Sequence, residues 1–282
     1  MWKITKFFNS LLGIKQAGAK AKQHLPVVKP PSGGQAYPQK QDQTHSPKRN
    51  VPYQGENLLR ELTKSPIWNW DCFRAVLIYL AQIGHGHYLP GSLRPNSVFL
   101  DGLQTTFGEL RQISGQWQGR ETSRVVPVDT GKSCLVISGK THIGNLNKVK
   151  IDMTPEPGRN LNQLPVLTIH VHPGKDNDPG LSDQDYISFL SQRSLIIMMI
   201  CYQGGNLFAM KTSSTHATIA SDTTRHMISV IRNDIRSTWS KMSLPKSILA
   251  FNKAVCMEFG LTLYQTGDPK ENVARRVEVT VI

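Results

Sequence analysis

Residues 165–186 read PVLTIHVHPGKDNDPGLSDQDY, and the fold turns on how that stretch divides. Its first five residues, 165–169, form an apolar run of strand length. Side chains alternate faces along a strand, so His170 and His172 point the same way, with Val171 opposite. Residues 173–180 are turn-formers, Pro, Gly, Asn and Asp among them. Leu181-Ser182-Asp183-Gln184-Asp185 then reads as the first turn of a helix, with Ser182 suited to cap it. Ser182 and Asp185 are three apart and share a helix face, whereas Asp183 turns away. Two imidazoles at a strand end and one carboxylate from the next helix can supply three ligands to one metal. Two nitrogens and a carboxylate, with a fourth position open, is the donor pattern of a catalytic zinc site. Asp176 and Asp178 in the loop are acidic too, but Asp is an ordinary turn residue there.

H-x-H-P, a loop and S-x-x-D together resemble the signature of the JAMM (MPN-type) zinc metallopeptidases, which include deubiquitinating isopeptidases and smaller bacterial relatives. The resemblance runs from Glu121 to Thr212, about a third of the chain. It implies zinc held by His170, His172 and Asp185, with Ser182 polarising the scissile carbonyl. It also implies a general-base Glu on an upstream strand, some fifty residues ahead of the H-x-H. Glu121 stands in that place, followed by Thr122-Ser123-Arg124 where the family has small residues, and Glu109 is the rival. Asp185 follows His172 by thirteen positions. That is about two more than the family usually shows, and residues 175–180 can absorb the excess as a bulge.

Working outward, residues 120–128 read as a strand carrying Glu121, and Asp129-Thr130-Gly131-Lys132 as a hairpin turn into 133–138. A further strand is expected over 148–153. Beyond Asp185 the helix continues to Arg193. Residues 195–201 are apolar on both faces, which predicts a central strand covered on either side. Gln203-Gly204-Gly205-Asn206 turns that strand into a partner over 207–211. Residues 222–262 carry helical spacing with a break at Leu244-Pro245. Strands and helices alternating in this way predict an α/β fold, a mixed central sheet flanked by helices. By the resemblance, that sandwich is of the cytidine-deaminase-like kind.

The ends of the chain differ in character. Residues 1–17 space Ile4, Phe7, Phe8 and Leu11 as a short amphipathic segment, able to dock on a partner or the core, lie on an anionic membrane surface or act as a targeting segment. Residues 18–55, rich in Lys, Gln, Pro and Gly, predict a flexible, disordered basic linker. The chain's net charge is +13, but residues 1–50 hold nine Lys and Arg against one acid, Asp42, which leaves +5 for everything after. The basic arm is therefore suited to an acidic partner. Its lysines lack interleaved aromatics, so nucleic acid is not the expected one. Residues 56–118 are expected to form a small helical subdomain, with Ser65 capping a helix that starts at Pro66 and ends at Gly84. His85-Gly86-His87 just beyond is read as a helix-ending turn rather than a second metal pair. Residues 119–262 make the metallopeptidase-like domain and 263–282 a C-terminal tail, with an edge strand at 277–282.

The 282 residues include four cysteines, with no C-x-x-C pair among them. That excludes a cysteine-rich zinc module and suits a reducing, cytoplasmic setting. No G-x-S-x-G elbow or glycine-rich phosphate loop occurs, which argues against serine-hydrolase and nucleotide chemistry. The expected function is zinc-dependent hydrolysis of a peptide or isopeptide bond in a protein or peptide substrate. The alternatives are an inactive MPN-like scaffold and a nucleic-acid-associated protein that uses the basic arm. A ubiquitin-binding insertion is not visible, so the substrate stays open.

Overall fold

A computed structural model describes residues 61, 65–84, 87–116, 119–137, 139–145, 162–172, 180–216, 219–239 and 242–279. The amphipathic segment 1–17, the linker 18–55, His85, the strand expected at 148–153, Asp176 and Asp178 lie outside them. So do residues 280–282, the end of the expected edge strand.

Ser65 does not cap a helix. Its hydroxyl donates to the Ile67 carbonyl at 2.6 Å, and the next two residues form the short strand β1 (Ile67–Trp68). Asn69 is the cap, accepting from Cys72 N at 2.8 Å, and it starts α1 (Trp70–Ile83). Asn is as good a cap as Ser and stands next to the apolar run, so it wins. The helix ends at Gly84, whose φ of 114° suits glycine alone, as expected from the sequence. Strand β2 (Ser97–Phe99) and helix α2 (Gln104–Gln116) follow. Both β1 and β2 belong to the common sheet, so 65–116 is not a purely helical subdomain.

Strand β3 (Thr122–Asp129) leads through a turn into β4 (Cys134–Leu135), and β5 (Thr141–Ile143) returns beside it. The expected hairpin forms because the Asp129 carboxylate accepts from Gly131 N and Lys132 N, both at 3.0 Å. Next come β6 (Gln163–Val171), α3 (Asp183–Ser191), β7 (Ile197–Tyr202) and β8 (Gly205–Lys211). Helices α4 (Ser221–Trp239) and α5 (Leu244–Glu258) precede β9 (Leu261–Gln265) and β10 (Val273–Arg276). The C-terminal region is thus no tail: its strand lies at 273–276, and the described residues 277–279 are not in one.

Among the described residues the strands form one sheet in the order β1-β2-β10-β9-β8-β7-β6-β3-β4, with β5 on β3. β1–β2 and β6–β7 are parallel pairs and the others antiparallel, so the sheet is mixed. One face carries Val126, Leu167, Ile169, Met199 and Phe208, which form one core with Phe73, Leu77 and Leu80 of α1 and Phe107 and Leu110 of α2. On the other face Met198, Ile200, Leu207, Ala209 and Leu263 are buried as well. There α3, α4 and α5 pack on one another, with α5 against β9. β7 is buried throughout, as its two-sided apolar run predicts. The architecture is an α/β sandwich of three layers. Among the described residues no helix is long and apolar enough to cross a membrane.

Candidate metal centre

β6 delivers His170 inside the strand, buried to 1% exposure, and His172 one residue past its end. Pairing with β7 holds that end: His170 lies beside Ile200, and His172 N donates to the Cys201 carbonyl at 2.9 Å. The two rings face one point, with Nε2 to Nε2 at 3.0 Å.

α3 delivers the carboxylate. Ser182 caps the helix, and a reciprocal capping box ties it to Asp185. Asp185 N donates to the Ser182 hydroxyl at 3.3 Å, while Asp185 Oδ2 accepts from Ser182 N and Ser182 Oγ, both at 2.7 Å. The same box that starts the helix therefore aims the carboxylate. Asp185 Oδ1 stands 3.3 Å from His170 Nε2, and Oδ2 3.7 Å from His172 Nε2.

Ligand atoms of His170, His172 and Asp185 all lie within 4.8 Å of one another, a group able to hold a metal ion. Nitrogen and oxygen donors at roughly 2.0–2.1 Å from one tetrahedral ion stand about 3.3 Å apart. The separations here, 3.0, 3.3 and 3.7 Å, bracket that edge. The donor set fits. One ring atom is less well served: His170 Nδ1 is buried with no hydrogen-bond partner among the described residues.

Charge is shared closely across the group. Burial works against the Asp185 carboxylate, but His170, His172 and the Ser182 hydroxyl outweigh it and hold the carboxyl well below the usual range. Burial pulls His170 down, yet Asp185, joined by Glu121, raises it above 6.5. For His172, burial and then the neighbouring His170 win over Asp185 and lower it to about 4. These opposed shifts mark a site where environment sets protonation.

Both candidate glutamates are placed. β3 pairs antiparallel with β6, Thr122 beside Val171 and Ser123 beside His170. Continuing that register by one residue sets Glu121 opposite His172, on the histidine face of the sheet. The backbone of Glu121 is fixed there by Glu121 N to Asn145 O and Gly144 N to Glu121 O, both at 2.8 Å. Glu109, on α2, belongs to the other layer, where its carboxylate accepts from Arg124 at 2.9 Å. Of the two, only Glu121 acts electrostatically on His170. Asp183 pairs with Arg232 of α4 and is turned from the histidines, as the helix period requires.

Sequence reasoning missed what stands behind the triad. Asn252 of α5 bonds Leu181 N, and Arg232 lies over the Phe251 ring at 5.0 Å while it pairs with Asp183. The one visible signal was an asparagine directly after the apolar run 248–251 of that helix. Comparison with known proteins returns no match: no family model, no curated protein and no solved structure is similar to the chain.

Proposed function

We propose that this chain is a zinc-dependent hydrolase of the JAMM type that cleaves a peptide or isopeptide bond in a protein or peptide substrate. The observation that carries the reading is the convergence of His170, His172 and Asp185 within 4.8 Å, at the mouth of a strand–helix unit. Two nitrogens and one carboxylate leave a coordination position open, as catalytic zinc sites do. Zinc bound there would supply a Lewis acid and a water acidified to a pKa of about 7.

The chain's own groups supply the rest. Glu121, opposite His172 by register, is the carboxylate to accept a proton from the attacking water and return it to the leaving amine. Ser182 commits its hydroxyl proton to Asp185 Oδ2, so its first role is to cap α3 and orient a ligand. To donate to a carbonyl oxygen of the substrate, it must rotate away from that oxygen. Glu109 has no part in this chemistry, because Arg124 holds it on the other layer.

Elemental analysis of the purified full chain tests the reading. Wild type and Glu121→Gln are expected to carry one zinc per chain, and His172→Ala none. Hydrolysis of peptide or isopeptide substrates is expected to be lost in both variants. Wild type that takes up no zinc when offered it overturns the proposal.

A further inference from the structure

One side chain outside α3 holds the turn that presents Asp185. Asn252 lies in the middle of α5 and is fully buried. Its Oδ1 accepts from Leu181 N at 3.0 Å and from the Tyr186 hydroxyl at 2.8 Å. Its amide nitrogen donates to the Ile248 carbonyl of its own helix at 2.9 Å. Leu181 and Tyr186 immediately flank the four residues of the Ser182–Asp185 capping box, and both are buried.

Packing alone does not call for an amide at this position. Asn is a weak helix former, and burying it is unfavourable unless its polar atoms are bonded. Ala250, Phe251 and Val255 of the same helix are buried and apolar, as a residue that only fills the core would be. The amide is accounted for by what it satisfies at the start of α3, above all the Leu181 N–H, which would otherwise be a buried donor without a partner.

We propose that Asn252 is a positioning residue of the metal centre. Its carbonyl oxygen pins both flanks of the Ser182–Asp185 box and so fixes the Asp185 carboxylate against His170 and His172. The inference rests on the metal reading above. A ligand set tolerates errors of only about 0.5 Å, so the segment that carries Asp185 must itself be locked by packing and hydrogen bonds.

Cobalt(II) titration of the metal-free full chain, followed by visible absorption, tests this without any substrate. Asn252→Leu is expected to bind cobalt about 10–100-fold more weakly than wild type, with an altered absorption band. Tyr186→Phe keeps the Leu181 bond and is expected to show a smaller loss. A purely structural role would lower the melting temperature of the metal-free variants and leave cobalt affinity and band unchanged, and that result overturns the proposal. Should Asn252→Leu fail to fold, Tyr186→Phe decides: cobalt affinity equal to wild type overturns it. Wild type that binds no cobalt sinks the metal reading itself. That outcome is distinct from wild type and variants binding alike.

Discussion

Lys211 is fully buried at the end of β8, an unusual place for an ammonium. Its Nζ donates to the Gln192 carbonyl at 2.6 Å, just past the last turn of α3, and lies 4.8 Å from the Phe189 ring centre. A cation there complements the negative end of the helix, to which the Gln192 carbonyl belongs. Among the described residues no carboxylate pairs with it, and burial pulls its pKa from 10.5 down to about 7. The sign of the linkage follows. Between pH 7 and 10.5 the unfolded chain holds a proton that the folded chain has released, so stability rises with pH. Below about pH 7 both states are protonated and this slope vanishes. Other groups titrate in the same window: Cys201 and Cys256 are raised to about 12 by burial and act in the opposite sense. The difference between wild type and Lys211→Met isolates the lysine. Urea unfolding at several pH values is expected to show wild type gaining on the variant by up to about 1.4 kcal/mol per pH unit between those limits. Parallel curves would mean that the ammonium stays charged in the fold, held by the carbonyl and the rings.

Among the elements, α3 has two duties, since one end caps the helix and presents the candidate ligand Asp185. Ser182→Ala removes the hydroxyl that accepts from Asp185 N and donates to Asp185 Oδ2. It is expected to lower stability by about 1 kcal/mol in the metal-free protein, as N-cap deletions do, while Ser182→Thr keeps most of it. Equal denaturation midpoints for Ser182→Ala and wild type would show that the cap contributes nothing. This helix was readable because the cap, the Ser182–Asp185 spacing and the apolar residues after it agree within ten residues. The same holds for the H-x-H strand and for β7, whose signals are local. Asn69 displaced Ser65 as a cap because two acceptable caps stood four residues apart and only the fold chose between them. β5 and β10 were unreadable for another reason: Thr-His-Ile and Val-Ala-Arg-Arg are too short to show a period, and their partners lie far off in sequence. Glu121 could be named by position, but its place opposite His172 exists only through the β3–β6 register. Asn252 bonds a residue 71 positions away, which no local pattern can show.

On the scale of the whole molecule, β10 joins the first part of the chain to the last. Val273, Ala274 and Arg275 pair with Phe99, Val98 and Ser97 of β2, while Arg275 and Arg276 pair with Gln265 and Tyr264 of β9. Further bonds tighten the seam: Leu100 N to Asn272 O at 2.7 Å, Arg276 N to Asn96 O at 2.8 Å, and Arg276 Nη1 to Arg94 O at 3.0 Å. Tyr264, stacked on Phe208 at 4.8 Å, sends its hydroxyl across to Pro95 O at 3.0 Å. A C-terminal appendage could be removed without consequence, but this strand lies in the interior of the sheet. Deleting residues 273–282 strips β2 of its antiparallel partner and uncovers buried Val98, the partner of Ala274, and buried Tyr264, the partner of Arg276. Unpaired strand groups and opened apolar surface both draw on the roughly 5–15 kcal/mol by which domains are stable. The truncated chain is therefore expected to lose its cooperative thermal transition and aggregate. The deletion removes none of the candidate metal ligands, and β6 lies four strands away from β10 in the sheet. Calorimetry of the two proteins decides the matter. A truncated chain that melts cooperatively within a few degrees of wild type would mean that β2 and β9 hold without the strand between them.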